Sequence, residues 1–198
     1  MWRTATVGVM RMFVALQPPE EALEDLAAFL APRQEAGAGL RWTPPEQWHV
    51  TLAFLPDVAD RHLDDLVERL ARAASRRTTF GARVAGAGAF PGPSRAKVLW
   101  AGVDCGGHEE ELRRLAVGAR AAAGKAGTVV DGGRFHPHLT LARLGRPLEV
   151  TRWLRVLDGY RGPEWPAERV ALVRSHLGEG PRGRPRYETL EELSLRPV

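Results

Sequence analysis

The chain has 198 residues, enough to bury a substantial core, and its 44% hydrophobic and 26% charged residues are those of a globular protein and argue against disorder. The net charge is +4 and is carried almost wholly by arginine, since Lys97 and Lys125 are the only lysines. That balance permits a polyanionic ligand without demanding one, arginine's planar fork being suited to phosphate oxygens. One cysteine, Cys105, excludes an intrachain disulfide and a cysteine-rich metal site, and reads as a buried thiol.

At the N-terminus "TATVGVM" is too short for a membrane span and lacks the small-residue cleavage site of a secretory signal. Residues 1–9 read as an extension ahead of the folded part, and the chain is expected to be cytoplasmic, with no membrane and no obligate protein partner. "MFVALQ" (12–17) is an apolar run stopped by Pro18 and Pro19, a strand. "PPEEALEDLAAFLA" then sets Leu23, Leu26, Ala27 and Leu30 on one helical face, with acids in the first turn. "TPPEQ" is a turn leading to the strand "WHVTLAFL" (48–55), and Leu63, Leu66, Val67 and Leu70 mark a second helix. "FGARVAGAGAF" and "AKVLWAGVD" form a strand pair joined by "PGPSR", and "HEEELRRLAVGARAAA" is a third helix. "FHPHLTLARL" (135–144) is a strand, "EVTRWLRVLDGY" a short helix, and "ERVALVRSHL" and "RYETLEELSL" are closing strands joined by "GEGPRGRP". This order predicts an α+β fold: one domain over residues 1–198, made of two similar lobes of mostly antiparallel sheet with outer helices.

The chain writes His-x-Thr-Leu-Ala twice. Aligned at the histidine, "HVTLAFL" and "HLTLARL" agree at five of seven positions. Strict alternation puts His49, Thr51 and Ala53 on one face of the first strand, with Val50, Leu52 and Phe54 on the other. The second strand likewise sets His138, Thr140 and Ala142 against Leu139 and Leu141. The apolar face builds a lobe, and His with Thr look into a cleft. Either histidine alone reads as a structural residue; the doubled tripeptide favours function. A neutral and a protonated histidine make a general base and a general acid near neutrality, each contributing roughly 10²–10⁴-fold in rate. With threonine hydroxyls donating to anionic oxygens, the chemistry that fits is in-line displacement at phosphorus, needing no metal or other cofactor.

These residues resemble the 2H phosphoesterase superfamily, defined by two His-x-Thr motifs, and within it the RNA 2′,3′-cyclic phosphodiesterases, also called 2′-5′ RNA ligases. "RMFVALQPPE" is similar to that family's opening strand and turn, and "GRPRYETL" to its closing segment. The resemblance implies a bilobal fold with two pseudo-symmetric lobes and an active-site groove between them. It implies metal-free hydrolysis of a 2′,3′-cyclic phosphate RNA end, tRNA fragments among the candidates, to a 2′-phosphomonoester, with 2′-5′ ligation as the reverse. It makes His49 the proton donor to the leaving 3′-oxygen and His138 the base that activates water. Thr51 and Thr140 bind the phosphate oxygens, and Arg143 stabilises their charge.

Alternation sets Arg143 on the face away from His138, so it reaches the groove if the strand ends or bulges at Ala142 or if its long side chain wraps round the edge; the first copy has Phe54 at the equivalent position. His136 and His138 stand at a spacing that suits zinc, with His49 as a third ligand; the favoured reading makes His136 a residue that steers His138 or packs near the groove mouth, with an RNA contact as the alternative. Arg182, Arg184 and Arg186 read equally as an RNA-backbone contact, with Tyr187 stacking on a base, or as a solvated hairpin tip. His62, His108 and His176 lack partners, and Ser94 lacks a nucleophile-elbow pattern. Two other readings stay open: hydrolysis of a small cyclic nucleotide such as ADP-ribose 1″,2″-cyclic phosphate, and a non-catalytic module that binds RNA ends.

Overall fold

The computed structural model describes residues 9–35 and 39–198. Of the expected extension, Val9 already belongs to the first strand, and residues 1–8 lie outside the described residues. Strand β1 (Val9–Leu16) ends at Pro18-Pro19, and helix α1 (Glu20–Gln34) begins there, its first-turn acids Glu20 and Glu21 complementing the helix dipole. A short strand β2 (Leu40–Trp42) and a 3₁₀ turn (Pro45–Gln47) lead into β3 (Val50–Ala59). Helix α2 (Leu63–Ala74), the hairpin β4 (Phe80–Phe90) and β5 (Ala96–Asp104), and helix α3 (Glu109–Lys125) come next. The chain closes with β6 (His138–Leu148), α4 (Thr151–Asp158), β7 (Trp165–Ala167), β8 (Arg169–His176) and β9 (Arg186–Ser194).

The order of long elements is the one read from the sequence; β2 and β7, three residues each, are additional. The sheet runs β7-β4-β5-β6-β3-β1-β8-β9, with β2 also paired to β6, and its named pairs are antiparallel. Its two halves are related about the β3–β6 seam, so the His-x-Thr strands are the innermost pair. The lobes are not the two halves of the chain: β1 and β3 share a lobe with β8 and β9 from the far end.

Helices cross over in the same way. α2 and α3 pack together over β3, β8 and β9, whereas α1 and α4 lie against β4 in the other lobe. Tyr160, just after α4, donates a 2.6 Å hydrogen bond to Asp25 of α1 and packs on Phe29, tying those helices together. One continuous core runs under both pairs, including Leu26, Leu30, Leu52, Leu66, Leu99, Leu112, Leu139 and Leu157. A smaller cluster of Phe13, Ala15, Ala171 and Val173 covers the opposite face of the first lobe. Among the described residues no helix is long and apolar enough to cross a membrane.

Gly88 of β4 sits opposite Trp100 of β5, and the indole lies across the space a side chain would fill, 2.0 Å from where a Cβ would stand. We expect Gly88→Ala to destabilise the protein by roughly 1–3 kcal/mol in denaturant unfolding, since the ring or the hairpin must shift. Unchanged stability would mean that the Trp100 ring is free to move aside.

Candidate active site

β3 and β6 meet at a single pair, Val50 opposite Leu139, both fully buried. In an antiparallel pair, the residues on either side of that contact project from the other face of the sheet. His49 and Thr51 therefore share one groove with His138 and Thr140, about a local two-fold relation.

Both strands depart from alternation just after threonine. In β1–β3 the partners step from Ala15–Thr51 to Val14–Ala53, leaving Leu52 extra; in β5–β6 they step from Trp100–Thr140 to Leu99–Ala142, leaving Leu141 extra. Each step is a β-bulge, in which two successive residues oppose one and the strand re-aims the side chains beyond it. Ala53 and Ala142 are consequently buried on the core side with Leu52 and Leu141, not displayed beside the histidines as strict alternation predicts. Phe54 and Arg143 turn to the groove instead, which corrects the expected placing of Phe54 and supplies the bulge that Arg143 needs.

A bulge strands a backbone carbonyl, and each of these is satisfied from outside the ladder. Leu141 O accepts from the Thr43 N–H at 2.8 Å. Leu52 O accepts from Arg120 Nε at 3.1 Å, and the same guanidinium donates through Nη1 to Gly133 O at 2.6 Å and lies over the Phe135 ring. Arg120, on α3, thus braces the first motif strand and the loop leading into the second.

The two histidines are held alike. His49 Nδ1 donates to Gln47 O at 2.8 Å and His138 Nδ1 to His136 O at 2.7 Å, each two residues upstream. With Nδ1–H committed to a carbonyl, a neutral ring keeps its lone pair on Nε2, the nitrogen left for chemistry. Their surroundings differ. Phe13 stacks on His49 at 4.5 Å, and Tyr187 meets it edge-on at 5.5 Å. His138 has Phe90 edge-on at 5.1 Å and is, like His49, half-buried. Although an edge of His49 still faces the groove, desolvation pulls its pKa from 6.5 down to about 4, with the Gln47 hydrogen bond opposing and His138 and Arg143 adding to the fall. His138 is lowered less, again chiefly by desolvation, against the His136 hydrogen bond. Both are neutral in the free protein at neutral pH.

His136 reaches the site through its backbone carbonyl, while its ring packs edge-on to Trp100 at 4.5 Å. Among the described residues no three His, Cys, Asp or Glu side chains group as a metal would require. Arg182 and Arg184 line the groove, in the turn between β8 and β9; Arg186 does not, being paired with Glu179 at 2.7 Å. That turn is pinned by Gln47 Nε2, which donates to Pro185 O at 2.7 Å, so Gln47 orients His49 and anchors the groove rim together. Cys105 is buried and its thiol pushed up to about 12 by desolvation, which leaves no nucleophile there. His176 bonds Glu188 at 2.6 Å, away from the groove. Sequence reading did not single out Arg11, Phe13, Arg41 or Gln47; only the periodicity of "RMFV" and the arginine in "LRW" hint at them.

Two His-x-Thr strands facing one groove from related lobes define a 2H phosphoesterase. The chain belongs to the family of LigT-like phosphoesterases, which it matches over residues 16–100 and 103–182. It is 35% identical over 192 residues to the RNA 2′,3′-cyclic phosphodiesterase of Thermus thermophilus, covering 94% of this chain and 91% of that one. It is 31% identical over 157 residues to the protein of the same name from Aeropyrum pernix, covering 79% and 87%. The fold matches that of E. coli LigT in its apo form with a TM-score of 0.73 at 26% identity, over 95% of this chain and 98% of that one. E. coli LigT complexed with 3′-AMP matches with a TM-score of 0.70 at 26% identity, over 95% and 99%.

Arg120→Met should leave the Leu52 carbonyl unsatisfied and release the loop before His138. A loss of about 2 kcal/mol in unfolding free energy is expected, as for a hydrogen bond from a charged donor, with Arg120→Lys intermediate. A Met variant as stable as the parent would remove the bracing role.

Proposed function

We propose that this chain hydrolyses 2′,3′-cyclic phosphates at RNA 3′ ends to 2′-phosphomonoesters, with His49 and His138 as its acid–base pair. The observation that carries the reading is the matched histidines, each with Nδ1 tied to a carbonyl and Nε2 left to one groove that also holds Thr51, Thr140 and Arg143. The relatives named RNA 2′,3′-cyclic phosphodiesterase support the substrate class, and the complex of E. coli LigT with 3′-AMP supports a groove shaped for a nucleotide.

In the proposed step His138 Nε2 takes a proton from water as the water oxygen bonds to phosphorus. The P–O3′ bond breaks, and protonated His49 gives its proton to the departing O3′. Thr51 and Thr140 hydroxyls donate to the non-bridging oxygens, and Arg143 balances the charge that builds on them. His138 ends protonated and His49 neutral, and exchange with solvent resets the pair. A 5′-hydroxyl in the place of water would form a 2′-5′ bond through the same transfers; hydrolysis dominates in water. Fragments of tRNA ending in a cyclic phosphate fit this substrate class.

The difference in burial bears on the assignment. In the free protein a single shared proton rests on His138, since His49 is the harder to charge. The reacting state moves it to His49, which couples the stronger acid to the stronger base. An anionic phosphate between the rings favours imidazolium and raises both pKa values.

Activity requires one proton on the pair. kcat/KM should therefore be bell-shaped, falling toward acid near pH 4 as His49 charges, and falling toward alkali from below pH 6.5 as His138 loses its proton. The alkaline limb of kcat should lie at higher pH, because bound phosphate stabilises the charged ring. A kcat limb at or below that of kcat/KM would contradict this electrostatic account.

His49→Ala and His138→Ala should each lower turnover by roughly 10²–10⁴-fold. A substrate with sulfur in place of bridging O3′ needs no protonation of its leaving group, so it should rescue His49→Ala and not His138→Ala. Rescue of the other variant would exchange the two roles. Absence of turnover by the parent protein would leave the groove as a binding module.

A further inference from the structure

Several arginines elsewhere on the surface are neutralised locally: Arg69 pairs with Asp65, Arg72 with Glu68, and Arg113 and Arg114 with Glu110. The groove is different. Arg11, Arg41, Arg143, Arg182 and Arg184 line it, and no carboxylate does so among the described residues. A single cyclic phosphodiester carries one negative charge and, in the reading above, occupies Thr51, Thr140 and Arg143. The remaining cations face a cavity of about 1000 Å³, at the upper end for a small-molecule site.

Two of these arginines have related positions. Arg41 of β2 is the cross-strand partner of Arg143 on β6. Like charges directly opposite each other on a sheet repel, and an anion lying between them turns that cost into attraction. In the other lobe the residue equivalent to Arg143 is Phe54, and Arg11 of the neighbouring strand β1 lays its guanidinium over that ring, 4.4 Å from the centroid. Each lobe thus brings an arginine from a strand adjacent to its motif strand to the same station along the groove. Tyr187 lines the same groove; burial raises its pKa, and Arg143 and Arg11 both oppose the rise.

We propose that Arg11 and Arg41, one from each lobe, bind an internal phosphate of the RNA beyond the reacting one and so are the residues by which the groove prefers an RNA end to a lone cyclic nucleotide. The proposal rests on the groove's being the cyclic-phosphate site. Its guanidiniums supply charge-assisted, bidentate hydrogen bonds to the internal phosphate, and the arginine-bearing rim at Arg182 and Arg184 continues the same basic track.

The test compares kcat/KM for three substrates with the same terminus: 2′,3′-cyclic AMP, the adenosine dinucleotide ending in a 2′,3′-cyclic phosphate, and that dinucleotide with an uncharged methylphosphonate between its nucleosides. The parent protein should prefer the phosphodiester dinucleotide over the methylphosphonate by roughly tenfold or more, the size of one charge-assisted hydrogen bond. In Arg11→Gln/Arg41→Gln this ratio should fall to within about twofold of unity, with Arg11→Lys/Arg41→Lys between. Both side chains are exposed, so the variants should fold; an unfolding midpoint equal to the parent's checks this. A parent that does not distinguish the two dinucleotides, or a ratio unmoved by the double variant, overturns the subsite. Turnover of 2′,3′-cyclic AMP reports separately on the proposed function. Should no substrate turn over, calorimetric binding of the two dinucleotides bearing a 2′-phosphate end decides the subsite by the same ratio.

Discussion

The site depends on one backbone contact. Among the described residues Val50 and Leu139 form the only pair between β3 and β6, and through it both lobes share a sheet. Because the pair is antiparallel and buried, its neighbours His49, Thr51, His138 and Thr140 must emerge together on the opposite face. A slip of one residue would send the histidines into the core and the valine and leucine into water, so apolar burial fixes the register that sets both histidines in the groove. The helices crossing between lobes serve the same end. α1 and α4 roof one lobe and α2 and α3 the other, and each lobe is built from both ends of the chain, so the seam cannot open without disturbing both halves of the core.

The repeat supplies two like histidines, whereas the acid–base pair proposed for them needs two that differ. The fold breaks the symmetry by packing. Phe13 stacks on one face of His49 and Tyr187 closes its edge, whereas His138 meets Phe90 edge-on and is less desolvated. The backbone hydrogen bonds, which are alike, fix which nitrogen faces the groove; desolvation, which is unlike, fixes which ring holds a proton more readily. Arg143 answered by Phe54 and Arg11 repeats the theme: the cation is kept in both lobes, but supplied from different strands.

Much of this was legible in the sequence because long elements announce themselves by period. Leu63, Leu66, Val67 and Leu70 could only be a helix face, and the two His-x-Thr strands stood out by repetition. The features that were not legible depend on partners. β2 and β7 are three residues each and exist because β6 and β4 have edges to fill. Arg11 and Arg41 become groove residues only through β1–β3 and β2–β6 pairing, and no local pattern marks that. His136 carries a side chain that invites a metal reading, yet its contribution to His138 is a carbonyl, which any residue has.

The alternation rule failed at one instructive place. Read as simple strands, Thr-Leu-Ala-Phe and Thr-Leu-Ala-Arg put alanine beside histidine and hide the next residue. The bulges bury leucine and alanine in succession, and that succession of two apolar residues after threonine is itself the trace of a bulge, present in both copies. It also accounts for the alanine. At a bulge the strand presses its second residue into a core already filled by the first, and Ala53 and Ala142 are both fully buried, where a larger side chain would have to displace its neighbours. The shared Leu-Ala of the repeat is therefore not mere packing beside His-x-Thr. It is the device that turns the fifth residue after each histidine toward the groove, as Arg143 in one lobe and as the Phe54 platform under Arg11 in the other.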